Sequence, residues 1–164
     1  MAAGNTYVAI ATQTLGSAVS SVTFSSISGA YTDLVLVCNA TSSSGSPNGL
    51  FLQVNGDTGT NYSSTRLYGT GSAAASVRES TTDRIMTGWT SSTGSTTMIT
   101  HLMNYSNTTT NKTTLSRTSD AVSRVNVTVG LWRSTSAITS ITLISESTNF
   151  TIGSTFSLYG ISAA

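Results

Sequence analysis

The sequence predicts an all-β fold: an antiparallel two-sheet β-sandwich, jelly-roll-like, of about ten short strands. Three observations predict it. Thirty serines and 31 threonines stand among 164 residues, and Thr favours strands while Ser favours turns. Helix formers are scarce, with one Lys, two Glu and two Gln. Apolar residues recur with period two or in short runs, at a spacing that suits a sandwich or barrel.

The segments follow in chain order. Residues 6–14 read as a first strand. Val22 and Phe24 alternate with Ser21 and Thr23, and Leu34-Val35-Leu36-Val37-Cys38 is apolar on both faces, as in a central covered strand. Segments 50–54, 64–68, 84–89, 96–105 and 113–117 come next. The clearest alternation lies in 123–133, where Val125, Val127, Val129 and Leu131 oppose Arg124, Asn126 and Thr128. That pattern predicts valines in the core and polar residues in solvent. Segment 138–144 and the Phe156/Leu158 pair complete the set. Asn55-Gly56 signals a turn, and 42–49, which holds the only proline, reads as a loop. The chain divides into residues 1–15, an N-terminal arm or first strand, and a single sandwich domain, 16–164.

Composition narrows the function. Charged residues make up 8% with a net charge of +1, too weak a field to attract nucleic acid or anionic lipid. No run approaches the roughly 18 apolar residues of a membrane span. The start, Met-Ala-Ala-Gly-Asn-Thr, lacks the basic and apolar parts of a signal peptide. Cys38 stands alone, so no internal disulfide forms. These features point to a protein made in a cytosol-like compartment.

No candidate for catalysis carries its chemistry. Asp57-Thr58-Gly59 follows an apolar run, as in aspartic proteases, but Asn55-Gly56 just before it marks an exposed turn. His101 is the only histidine, on a strand face with Ile99, Met103 and Tyr105, and no Gly-x-Ser-x-Gly elbow occurs. One histidine and scattered carboxylates give no metal-ligand spacing. Glu79 and Asp83 could imitate a glycosidase pair, but Arg78 and Arg84 beside them would keep both ionised. That segment predicts a salt-bridged loop or subunit contact instead. The Asn-x-Ser/Thr sequons are put down to chance in a chain so rich in Ser and Thr. Trp89, Trp132, Tyr62, Tyr68 and Tyr105 could form a sugar-stacking surface, although aromatics in small sandwiches usually fill core or interface. The sequence therefore predicts no enzyme and no cofactor.

Two stretches have a familiar order. Ser21-Val22-Thr23-Phe24-Ser25-Ser26-Ile27 leads into Tyr31-Thr32-Asp33-Leu34-Val35-Leu36-Val37. Leu52-Gln53-Val54-Asn55-Gly56-Asp57-Thr58-Gly59-Thr60-Asn61-Tyr62-Ser63 follows, and the chain closes on Gly153-Ser154-Thr155-Phe156-Ser157-Leu158-Tyr159-Gly160-Ile161. This order resembles small virion structural proteins of tailed phages, while 71–147 matches nothing in them. The resemblance implies a symmetric homo-oligomer, often a trimer, located in the virion after synthesis in the bacterial cytoplasm. The role it implies is a capsid decoration (cement) protein bound to the major capsid protein. The alternative is a tail-fibre or tail-tip protein that recognises a host glycan. Expected contact residues are Tyr7, Val8 and Ile10 in the N-terminal segment, and Arg78, Glu79, Asp83 and Arg84.

Overall fold

The computed structural model describes residues 6–44 and 47–162. Its strands are β1 (Tyr7–Thr14), β2 (Ser21–Phe24), β3 (Asp33–Ala40), β4 (Asn48–Val54), β5 (Tyr62–Gly69) and β6 (Ala74–Thr82). They continue as β7 (Ile85–Thr90), β8 (Thr96–Met103), β9 (Lys112–Asp120), β10 (Val125–Trp132), β11 (Ile141–Ser145) and β12 (Thr155–Ile161). An eight-stranded sheet runs β1-β12-β3-β8-β9-β10-β5-β6, and a four-stranded sheet runs β2-β11-β4-β7. Every pairing is antiparallel. The two-sheet, all-β architecture is the one that composition and periodicity predict.

Two strand expectations need correction. Residues 74–82, read in part as a charged loop, form β6, the edge of the large sheet. Its alternation of small polar residues and charges gives no period-two hydrophobic signal. The loop at 42–49 ends two residues early, because Asn48 and Gly49 already pair with β7; residues 45 and 46 lie outside the described set. At the other edge, residues 7–14 pair along their length with β12, interrupted by one bulge near Ile10. They form the first strand, one of the two forms expected for this segment, docked at the edge of the large sheet. The first five residues of the expected arm lie outside the described set.

The apolar core sits where β2, β11 and β4 cover β12, β3 and β8. Val22, Phe24, Leu34, Leu36, Leu50, Leu52, Met98, Leu102, Ile141, Leu143, Phe156 and Leu158 are all buried there. Phe150 and Phe156 meet edge to face at 5.1 Å between centroids. Cys38 is also buried in this core, and burial pushes its thiol far above the ordinary range.

The other half of the molecule is built differently. Under β7, the inner face of β9 and β10 carries Thr114, Ser116, Thr118, Asn126, Thr128 and Gly130, all buried. Two of these hydroxyls, those of Ser116 and Thr118, are hydrogen-bonded, while Thr114 Oγ1, Thr128 Oγ1 and Asn126 Oδ1 are buried without a hydrogen-bond partner among the described residues. The Thr100 and Ser116 hydroxyls lie 2.8 Å apart, and Thr118 Oγ1 donates to the Thr87 carbonyl at 2.9 Å. Glycines let β7 come close. A β-carbon at Gly88 would stand 2.7 Å from Thr118, and one at Gly130 2.5 Å from Thr114 Oγ1 and 2.6 Å from Ile85 Cγ2.

This arrangement inverts the expectation for segment 123–133. Val125, Val127 and Val129 point out of the sandwich and are 55, 44 and 54% exposed, while Asn126 and Thr128 point in. The alternation is real but its inside and outside are exchanged. Ile85 of β7 fills the space over Gly130, which leaves room there only for small residues on β10, and Gly130 and Trp132 share the parity that faces in.

Candidate functional site

The site that stands out is the outer face of the eight-stranded sheet, away from the four-stranded one. Cross-strand register assembles it. One row runs Ala9, Tyr159, Val35, His101, Leu115, Val129, Thr65 and Arg78, one residue from each of the eight strands. The next row runs Val37, Ile99, Arg117, Val127, Leu67 and Ser76. Leu67 is 61% and Leu115 42% exposed, and Met103 extends the apolar surface along β8. Beside β6 the face dips into a concavity of about 570 Å³, bordered by Leu67, Gly69, Ala74, Ser76, Val125 and Val127. A soluble monomer rarely exposes a contiguous apolar surface of this extent unless something covers it.

Charge is sparse on this face. Arg117 and His101 lie among the apolar residues. Arg78 stands at the β6 edge, where its guanidinium donates to Thr65 Oγ1 at 3.0 Å. Asp33, at one end, accepts a hydrogen bond from the Asn104 backbone N–H at 2.6 Å. His101 is thus a half-buried strand histidine between Val35 and Leu115.

The expected contact residues fall into two groups on opposite edges. Tyr7, Val8 and Ile10 belong to β1, where Tyr7 is 57% exposed and meets Tyr159 edge to face. Val8 and Ile10 turn partly inward, and Ile10 packs against the core. Arg78 and Glu79 lie on β6, with Asp83 and Arg84 in the turn after it. The large sheet separates the two groups, so one chain does not bring them together. Glu79 pairs with Arg66 of β5 at 3.0 Å rather than with Arg78. Asp83 and Arg84 pair at 3.4 Å, and the Arg84 guanidinium lies 4.5 Å from the Phe51 ring centroid.

The aromatic set also divides. Tyr62, Tyr105 and Trp132 are buried and brace loops. Tyr62 Oη donates to the Val54 and Asp57 carbonyls, and Tyr105 Oη to the Ser28 carbonyl. Trp89 and Tyr68 do meet at a half-exposed position, with centroids 5.1 Å apart. The Arg66 and Arg124 guanidiniums lie over the indole at 5.2 and 5.4 Å.

Asp57 is the lock of a turn. Its Oδ2 accepts from the Trp132 indole N–H at 2.6 Å and the Asn61 amide at 2.9 Å, and its Oδ1 accepts from the Gly59 N–H at 2.8 Å. These donors, the indole first, hold its carboxyl below the usual carboxylate range. Among the described residues no group of three or more His, Cys, Asp or Glu is placed to hold a metal ion, and no helix is long and apolar enough to cross a membrane.

Sequence reasoning missed Leu67 and Leu115, which no motif marks. They become one surface with the valines only through the pairing of β9, β10 and β5.

No family model, no curated protein and no solved structure matches this chain.

Proposed function

We propose that this protein is a structural component that works by surface contact, a virion shell protein of the decoration type. The observation that carries the contact reading is the open apolar face of the eight-stranded sheet, six of whose exposed residues are Leu67, Met103, Leu115, Val125, Val127 and Val129. The ordered segments that resemble phage virion proteins support the particle assignment. Sparse charge supports it too, because fewer ions must be desolvated when the surface is covered.

A second reading is glycan recognition at Trp89 and Tyr68, the half-exposed members of the aromatic set, which meet edge to face. Arg66 and Arg124 already lie over the indole and compete for the ring surface a sugar would need. The geometry therefore favours contact between proteins.

Quantitative mass spectrometry of purified particles from the producing cells tests this reading. A decoration protein is expected in a copy number comparable to that of the major shell protein. A few copies per particle would indicate a fibre or tail piece, and absence from particles would overturn the virion reading.

A further inference from the structure

We infer that β7 is a strap that opens on its own, lifting from β9 and β10 while the apolar half of the sandwich stays folded. The inference goes beyond the contact reading and does not depend on it.

What lies beneath β7 is the first argument. Among the described residues six buried side-chain polar atoms have no hydrogen-bond partner, and four of the six, Thr114 Oγ1, Asn126 Oδ1, Thr128 Oγ1 and Arg66 Nε, belong to the inner face of β9, β10 and β5. β7 is the strand that covers this face. Gly130, opposite Thr114 in the ladder, lies against Ile85. Asn126 stands between Thr118 and Tyr68, which approach Gly88 and Trp89. The Arg66 guanidinium lies 5.2 Å from the centre of the Trp89 ring. A donor or acceptor sealed off without a partner loses its hydration and regains nothing, so four atoms oppose the closed position of this one strand.

Weak anchoring is the second argument. β7 is an edge of the four-stranded sheet and pairs with β4 alone. A register shift between Leu50 and Phe51 leaves Thr87 outside the paired positions. Ile85 is the residue of β7 that joins the apolar core cluster, whereas β4 contributes Leu50, Leu52 and Val54. Across to the large sheet, Thr118 Oγ1 donates to the Thr87 carbonyl at 2.9 Å. A segment anchored so lightly opens locally, at a free energy below that of global unfolding. Water then reaches the four unpaired atoms, and the opened form bares Trp89 and the polar inner face of β9 and β10.

Hydrogen exchange of the full chain, followed by NMR under conditions where the opening equilibrium sets the rate, tests the inference. The β7 amides paired with β4 are expected to exchange at least about tenfold faster than the paired amides of β3 and β12, after correction for intrinsic rates. Two substitutions that keep the side-chain shape are expected to move the β7 rate in opposite directions. Thr128→Val removes an unpaired hydroxyl and should slow β7 exchange by about fivefold. Thr118→Val removes the bond to Thr87 and should speed it by about fivefold.

β7 amides that exchange no faster than those of β3 would overturn the inference. So would a Thr128→Val variant in which β7 exchange is unchanged or faster, since the covered hydroxyl would then not be opposing closure.

Discussion

The Gly130→Val variant is expected to lose at least about 3 kcal/mol of folding stability, more than overpacked sites usually lose. The first added carbon would already stand 2.5 Å from Thr114 Oγ1 and 2.6 Å from Ile85 Cγ2. Relief would require β7 to lift from the large sheet, which would break the Thr118–Thr87 bond and open the layer of buried hydroxyls. Gly88→Val acts from the other wall, since its β-carbon would stand 2.7 Å from Thr118. Urea denaturation of both variants checks this, and a midpoint within error of wild type for either would show that the sheets are further apart.

Trp132→Ala should destabilise the fold by about 3 to 5 kcal/mol, the range for removing a large buried aromatic. The indole lies against Tyr62 with ring planes 21° apart, and its N–H donates to Asp57. Trp132→Phe keeps most of the packing and removes the donor, so a loss of about 1 to 2 kcal/mol is expected. The same corner predicts a pH dependence. The folded Asp57 carboxyl titrates below its unfolded value, so its contribution is fully present above about pH 4 and is lost as the pH falls through the lower folded value. In Trp132→Phe this acid-side loss should be smaller. An unchanged pH profile in that variant would remove the indole from the account.

Much of the architecture was legible in the residues, because strand content and turns depend on local chemistry. The Leu34–Cys38 run is the central strand β3, buried at Leu34, Val35, Leu36 and Cys38. Asn55 and Gly56 form the turn after β4, both with positive φ, and the Asn55 side chain ties that turn to residues 137–140. What escaped was orientation. Alternation in β10 says that two faces differ, and only the opposing layer decides which one is inside. Here that layer is β7, which approaches closely over small residues, so Thr128 and Gly130 face it and the valines face out. The candidate face escaped for the same reason. Its rows join residues far apart in the chain, such as Val35, Leu115 and Val129, through register that no local pattern encodes.

Denaturation of Val129→Asp beside Thr128→Asp, at a dilution where the protein is a single chain, tests this orientation most directly. The structure predicts that Val129→Asp folds within about 1 kcal/mol of wild type, because the carboxylate enters solvent. Thr128→Asp should lose more than about 4 kcal/mol, because its charge would be buried at a position now fully enclosed. The reverse result, with Val129→Asp unfolded and Thr128→Asp near wild type, would put the valines in the core and leave no apolar face to cover.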